Sequence, residues 1–342
     1  MSEHGKDSLK VIDISGYSFT GKSAVYDLVT EFDGYYSHSK EFEFDLIRIQ
    51  GGILDLQSAL TDNWSPIRSS EAIRNFFRLI RAFGGDKSFF SKLTSTGAHY
   101  DYFFPGFSDS SKNYINSLIN ARWMCEWPFA LYNNGQGSVL TKKIASKLGH
   151  LVEEEVYLSR MSVEEFIGKT QKYFDDLFSG IAAEPFKCLV LNNSFEPFAP
   201  EKSIAFFNSA KSIVVDRDPR DIYLSALTAG KIAGANVGKA VTAGSVENFI
   251  DRFRIYRGGI DPSVPNVYRT NFEKIILDYD VEVDNIRKFL CETTGNYPGK
   301  GSVFNPVLSR KNIRLWETVE DIALRKEIMI IKSELNDYCL EI

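Results

Sequence analysis

A chain of 342 residues with 44% hydrophobic and 25% charged side chains has an ordinary globular composition, long enough for one large α/β domain with an insertion or for two domains. Its net charge of −5 gives no general basic field for nucleic acid, so an anionic ligand has to be held by local cations. No apolar run approaches the roughly 18 residues that span a bilayer, and the polar start "MSEHGKDSLK" leads straight into a strand pattern, which sets the expectation of a cytoplasmic protein without a secretory leader.

The first element is "LKVIDIS", Leu9 to Ser15, a short apolar run with β-branched residues that predicts a buried strand. An unbroken G-x-x-x-x-G-K-S follows, from Gly16 to Ser23. After it, Val25, Leu28, Val29 and Phe32 are spaced for one face of a helix. Strand, glycine loop and helix is the order that a phosphate-binding loop requires. The glycines let the backbone wrap the anion, and the helix start aims free N–H groups and its positive dipole end at it. The residues expected to hold a phosphate are therefore Gly16, Tyr17, Ser18, Phe19, Thr20, Gly21, Lys22, Ser23 and Ala24. The loop alone does not say whether it holds a nucleoside triphosphate or the 5′-phosphate of another carrier.

"EFEFDLIRI", Glu41 to Ile49, alternates charged and apolar residues and predicts a second strand. From about Leu54 to Gly180 the pattern turns mostly helical. "SSEAIRNFFRLIRAF", Ser69 to Phe83, predicts a helix with a serine cap, and "SVEEFIGKTQKYFDDLF", Ser162 to Phe178, opens with a capping box from Ser162 to Glu165. Between them lies an aromatic loop, Gly97 to Phe107, whose Tyr100, Tyr102, Phe103, Phe104 and Phe107 can either stack on a ligand ring or pack the insertion.

Strand patterns return at Lys187 to Asn193, Lys211 to Pro219 and Asn266 to Phe272, and Asp284 to Gly295 predicts a helix. The Gly- and Ala-rich stretch from Thr228 to Ser245 reads as a surface segment able to order over a ligand. Strands separated by helical stretches imply an α/β fold, a P-loop-type parallel sheet flanked by helices. The expected division is a core from residues 1–54 and 185–342, with a mostly helical insertion at 55–184 as the acceptor-binding region; the two can also form one compact domain. Cys125, Cys188, Cys291 and Cys339 lie far apart, as do the four histidines, so no metal-ligand spacing emerges and no metal is expected. Cys188 and Cys291 sit in apolar runs and read as buried thiols of a reducing compartment.

The strand ending "SIVVD" at Asp216 leaves two routes open. An acidic residue there suits a Mg²⁺-dependent kinase or NTPase. The whole stretch "VVDRDPRDIYLSAL", however, resembles the 3′-phosphate-binding segment of sulfotransferases, in which a strand is followed by R-[DN]-P-[RK]-D and by a serine eight residues after the first arginine. Arg217 and Ser225 hold those positions. "FNPVLSRKNIRLWE", Phe304 to Glu317, is similar to that family's C-terminal segment, with Arg310, Lys311 and Trp316 matching in type and Asn312 in place of the usual glycine. The resemblance covers the two ends of the chain and none of 55–184.

It implies that the loop holds the 5′-phosphosulfate of 3′-phosphoadenosine-5′-phosphosulfate (PAPS), and that Arg217, Ser225, Arg310 and Lys311 complete the nucleotide site. It also implies in-line sulfuryl transfer to an acceptor hydroxyl without a metal, with Lys22 stabilising the bridging oxygen of the leaving phosphate. The general base is then sought in "SHSKEFEFDLIR", which is similar to a K-E-x-x-F-F strand of glycan sulfotransferases and implies a sugar acceptor. Lys40 and Glu41 match that pair, Glu43 is a second candidate base, and His38 and His99 are the third and fourth. The competing readings are a P-loop kinase of a small hydroxylated metabolite, using Asp216 and Ser23 for Mg²⁺, and a nucleotide-binding regulatory protein.

Overall fold

The computed structural model describes residues 9–84, 99–127, 129, 136–148, 152–181, 185–229, 231–232, 235–293 and 297–340. The chain divides into two compact units, Met1–Asp45 with Glu184–Ile342, and Leu46–Ala183.

The first unit is built on β1 (Lys10–Gly16), α1 (Lys22–Val29), β2 (Tyr35–Ser37), β3 (Cys188–Asn192), β4 (Ala210–Asp216), α2 (Pro219–Thr228), α3 (Val246–Arg257), β5 (Val267–Asn271), α4 (Phe272–Leu277), α5 (Tyr279–Leu290) and α6 (Ile322–Glu334). The five strands form one sheet in the order β2-β3-β1-β4-β5, and every neighbouring pair is parallel. The central strands read as nearly continuous apolar runs because both faces of such a sheet are covered. Ile12, Ile14, Val190, Ile213 and Val215 pack with Val25, Leu28 and Val29 of α1 and with Val283, Ile286 and Leu290 of α5. A second apolar cluster joins Ile222, Tyr223 and Ala226 of α2 to Phe249, Ile250 and Phe253 of α3 and Ile331 of α6.

The connection after β1 runs toward β2, and the one after β4 runs toward β5. The strand order therefore reverses between β1 and β4, where open α/β sheets hold their ligands. Gly16 is in register with Val215, so the glycine loop and the Arg217 turn leave the sheet side by side. Beneath them lies a fully buried carboxylate, Asp13, which accepts from Ser212 Oγ at 2.6 Å, Ser15 Oγ at 2.9 Å and Ser194 Oγ at 2.9 Å. Burial raises its pKa, and the hydroxyl and amide donors oppose that rise. One side chain thus ties β1 to β4 and to the exit of β3.

Two sequence expectations need correction here. The strand predicted at Glu41–Ile49 is a run of turns, and the edge strand is Tyr35–Ser37 instead. Alternation requires only that every second side chain point inward. Phe42, Phe44, Leu46 and Ile47 are buried without a strand ladder, although Phe44 N–H does donate to Asn192 O at 3.0 Å. The helix expected to end at a glycine ends at Leu290, with Cys291 in the left-handed cap at φ 64°; Gly295 lies outside the described residues.

The second unit contains the helices Ile53–Leu60, Pro66–Gly84, Phe107–Leu118, Gln136–Lys147 and Val163–Phe178. It also holds an antiparallel pair, Ala121–Cys125 with Glu154–Leu158, which the sequence reading missed because Arg122, Trp123 and Met124 face solvent and leave no apolar alternation. Ser162 caps the helix as expected, its Oγ accepting from Glu165 N–H at 3.1 Å, while the Glu165 carboxylate pairs with Lys169 at 3.2 Å. The Pro66 helix starts three residues before its expected serine cap, and Ser69 instead donates from inside it to Ser159 O at 3.0 Å. The aromatic loop is mainly core. Tyr100, Phe104 and Phe107 are fully buried, Tyr100 stacks on Phe83 at 4.6 Å, and Tyr102 remains 81% exposed. Gly97 and Ala98 lie outside the described residues.

Candidate functional site

The Gly16–Ser23 loop has the backbone that its glycines foreshadow. A Cβ on Gly16 would lie 2.6 Å from Thr20 Oγ1 and 2.9 Å from Val215 O, so the loop can fold this tightly only over a hydrogen atom. Gly21 sits at φ 77°, and a side chain there would meet the Phe272 ring at 2.3 Å. Thr20 closes the turn by donating from Oγ1 to Tyr17 O at 2.7 Å. Helix α1 starts immediately after Gly21 with no side-chain cap, which leaves its first amide donors available to an anion.

Across the switch point, Asp218 caps α2 by accepting from Arg220 N–H at 2.9 Å, and Pro219 begins the helix without losing a donor. This turn sends the Arg217 side chain back toward the loop. Its guanidinium donates through Nη1 to Phe19 O at 3.0 Å and to Ser225 Oγ at 3.0 Å, and through Nη2 to Asn312 O. It stands 5.2 Å from the centroid of the Phe272 ring and is 7% exposed. Its Nε is buried with no hydrogen-bond partner among the described residues. Arg217 and Ser225 line a cavity of about 420 Å³ together with Gly21, Ser23, Phe272 and Asn312. Burial lowers the arginine's pKa, and three carboxyls oppose that. Asp221, 3.9 Å away, and Glu273 are themselves pushed up by burial, to about 6 and about 7.

Lys22 forms a second cluster. Its Nζ donates to Glu43 Oε1 at 2.7 Å and to Asn192 Oδ1 at 2.8 Å. Asn193 Nδ2 donates to the other oxygen of Glu43 at 3.0 Å, and Asn192 Nδ2 donates to Lys40 O at 2.6 Å. The structure thus brings Lys22 and Glu43 together. It places the Lys40 ammonium on Asp27, 3.0 Å away, and leaves Glu41 exposed with Ser39 Oγ donating to it, a bond that lowers its pKa. His38 packs edge-on against Tyr36 and Phe42 and is lowered to about 4 by burial. His99 is exposed in the second unit.

The remaining expected residues take outer positions. Ser18 is exposed, and Tyr17 is buried, its phenol pushed up to about 12 by desolvation. Arg310 and Lys311 are exposed in a short 3₁₀ turn between Ser309 and Asn312, both of which line the cavity. Asp216 is held by Arg257, whose Nε and Nη2 donate to its two oxygens at 2.7 and 2.6 Å. The Arg257 guanidinium in turn lies 3.9 Å from the Tyr17 ring centroid and 3.5 Å from that of Phe253.

Sequence reasoning missed Asn192, Asn193, Arg257 and two buried carboxylates that fasten the C-terminal segment. Glu31 accepts from Tyr297 Oη and from the amides of Gly301, Val303 and Phe304 at 2.7–3.0 Å. Asp221 accepts from the amides of Arg314 and Leu315, each at 2.8 Å. The "LNN" that closes β3, Leu191 to Asn193, was the one available signal, since adjacent amides at the carboxyl end of a parallel strand face the ligand edge of the sheet.

No family model matches the chain, and neither does any curated protein. Among solved structures it is similar to the sulfotransferase domain from the curacin biosynthetic pathway, at 14% identity over 96% of this chain and 97% of that one, with a TM-score of 0.38. It is also similar to retinol dehydratase in complex with androsterone and inactive cofactor PAP, at 11% identity over 97% and 82% of the two chains, TM-score 0.38. The sulfotransferase domain of the Synechococcus PCC 7002 olefin synthase gives 12% identity, 97% and 95% coverage, and a TM-score of 0.37. At identities and scores this low, function has to be read from the geometry of the site.

Proposed function

We propose that the protein is a PAPS-dependent sulfotransferase whose acceptor is a hydroxyl group, and specifically a sugar hydroxyl. The observation that carries this reading is the Arg217–Ser225 pair, bonded at 3.0 Å and lining the same cavity as Gly21 and Ser23 of the phosphate loop. Two separate anion sites within one cavity suit a nucleotide with phosphates at both its 3′ and 5′ positions.

The residues fit such a ligand. Arg217 has a buried Nε with no partner among the described residues, and the glycine cradle at Gly16 and Gly21 has no room for a side chain. The amides at the start of α1 and the Ser23 hydroxyl would hold the 5′-phosphate. Arg217 and Ser225 would hold the 3′-phosphate by charge-assisted hydrogen bonds, with Arg310 and Lys311 adding positive charge near the rim. When bound, PAPS supplies an activated sulfuryl group. Lys22 would stabilise the negative charge left on the departing phosphate, and Glu43 would accept the proton of the attacking hydroxyl. Glu43 is preferred as base because it stands beside Lys22 at 2.7 Å, whereas Glu41 pairs with Ser39 at the surface. A carboxylate base is the type found in the glycan-directed enzymes, whose glutamate matches Glu41 and not Glu43, so the sugar acceptor rests on the chemical type of the base alone.

A Mg²⁺-dependent kinase would need Asp216 at the end of β4 for the metal. Both of its oxygens are engaged by Arg257, which favours sulfuryl transfer. The test is transfer of label from ³⁵S-PAPS to a panel of sugars, with and without a chelator of divalent metals. Transfer that survives chelation supports the reading; absence of transfer together with ATP hydrolysis dependent on Mg²⁺ would replace it with the kinase.

A further inference from the structure

The second unit contains a cavity of about 660 Å³ that belongs to none of the chemistry above. Its wall carries six cations, Arg74, Arg78, Arg81, Lys112, Arg122 and Lys142, against two carboxylates, Glu154 and Glu155. The chain as a whole carries a net charge of −5, so this concentration of positive charge runs against its composition. Like charges gathered around one concave surface repel one another, and an anionic ligand that neutralises them relieves that cost.

The fold gathers these groups deliberately. Arg74, Phe77, Arg78 and Arg81 follow a spacing of three and four residues along the Pro66–Gly84 helix and so share one face. Arg122 is paired in register with Tyr157 across the two-stranded ribbon. Glu154 sits between Arg74 and Lys142 and contacts both, and Arg74 Nη2 donates to Glu155 O at 2.6 Å. That end of the cavity is therefore prebuilt. Arg74 Nε remains buried with no hydrogen-bond partner among the described residues.

Of the other cations, Arg122 meets Glu155 at 3.9 Å between exposed side chains, a weak surface contact, and Arg78, Arg81 and Lys112 have no carboxylate of the wall at ion-pair distance among the described residues. Arg78 donates to the neutral Asn75 amide at 2.8 Å, and neither Arg78 nor Arg81 pairs with a carboxylate among the described residues. The Lys112 contact with Asp109, 3.3 Å long and between exposed side chains, is of the weak surface kind. Phe77 and Tyr157, their rings 5.7 Å apart, add flat apolar area to the wall. A volume of about 660 Å³ exceeds what a lone inorganic anion fills and falls in the usual range for small-molecule ligands.

We propose that this cavity binds a sugar or cyclic polyol carrying two or more phosphate or sulfate ester groups. The esters meet Arg78, Arg81 and Arg74, and the ring packs on the aromatic wall. The site stands independently of the sulfotransferase reading, because all of its residues lie in the second unit and none contributes to the Arg217 cavity.

The experiment is calorimetric titration of the full chain with sucrose octasulfate and with inositol hexakisphosphate, against unmodified sucrose and inositol as neutral controls. The wild type should bind the esters at one per chain, with affinity falling steeply as salt rises, and should ignore the neutral compounds. The variant R78S/R81S, altered only at exposed positions, should bind the esters at least about tenfold more weakly. Its far-UV circular dichroism and urea unfolding midpoint should match those of the wild type, which confirms that it is folded. A sulfated dextran binding more tightly per ester group than the octasulfate would identify a polymer segment as the source; the reverse would identify a free small molecule. The proposal is overturned if the esters fail to bind, if R78S/R81S binds them like the wild type, or if a single-stranded oligonucleotide of equal charge binds more tightly and loses that affinity in the variant.

Discussion

Arg217 and Ser225 are eight residues apart in sequence, yet Nη1 of the first donates to Oγ of the second at 3.0 Å. The contact exists because Asp218 and Pro219 end the strand and start α2 at once, so the long arginine side chain runs back beside the helix that carries Ser225. Replacing Arg217 by alanine should weaken adenosine 3′,5′-bisphosphate binding by about 2–4 kcal/mol, the cost of leaving a phosphate without its charged partner. Ser225→Ala, which removes a neutral hydrogen bond, should cost about 1 kcal/mol. ATP, lacking a 3′-phosphate, should be little affected by either. Titration of both nucleotides against the three proteins makes the comparison.

Glu43→Gln keeps the shape of the side chain and removes its ability to accept a proton. Turnover should fall roughly 10²–10⁴-fold while bisphosphate affinity is retained. Glu41→Gln should leave turnover near normal, since its carboxylate meets Ser39 rather than Lys22. A loss confined to Glu41→Gln, measured in the same transfer assay, would move the base back to the surface position.

Lys22→Ala should reduce turnover more than it weakens the product nucleotide, because its charge matters most as the bridging oxygen becomes anionic. The ratio of the two effects is obtained from kcat and from the dissociation constant of adenosine 3′,5′-bisphosphate. Equal losses in both would make Lys22 a binding residue only.

Glu273 gives a pH signature. Burial raises its carboxyl from the ordinary 4.5 to about 7, so the folded state binds this proton more tightly than the unfolded state does. Its contribution to stability is therefore fully present below about pH 4.5 and is lost as pH rises toward 7. Glu273→Gln should be more stable than the wild type at pH 8, by up to about 3 kcal/mol, and that advantage should shrink toward pH 4.5. Urea unfolding at the two pH values measures it. An advantage that grew on acidification would reverse the sign and contradict the assignment.

The parts of this protein that were legible in its sequence are those in which local chemistry fixes local geometry. The glycine loop between strand and helix could be read because Gly16 and Gly21 occupy positions that exclude a side chain. The central strands could be read because burial on both faces demands unbroken apolar runs. The Glu41–Ile49 stretch misled for the converse reason, as alternation reports which side chains are buried and says nothing about hydrogen-bonded ladders. The proximity of Glu43 to Lys22 was invisible, since it depends on Asn192 and Asn193, about 150 residues or more further along, to orient both groups. Nor could any pattern show that Arg257 occupies Asp216, because the two, 41 residues apart, meet only once α3 has packed against α2 and α6.

Glu31 tests the C-terminal fastening. Glu31→Ala removes the acceptor of three backbone amides and one phenol, and should destabilise the protein by roughly 2–4 kcal/mol. It should also weaken bisphosphate binding, because Phe304, held through its amide, lines the cavity. A variant as stable as the wild type would show that the segment is held by other means.

The measurement closest to the central claim is calorimetric titration of the wild-type chain with adenosine 3′,5′-bisphosphate and with adenosine 5′-monophosphate, in buffer free of divalent metal. The two ligands differ only in the 3′-phosphate that Arg217 and Ser225 are proposed to hold. The bisphosphate should bind at least about 30-fold more tightly, roughly 2 kcal/mol, and Arg217→Ala should abolish the difference. Equal affinities in the wild type, or a preference that survives the loss of Arg217, would contradict the account.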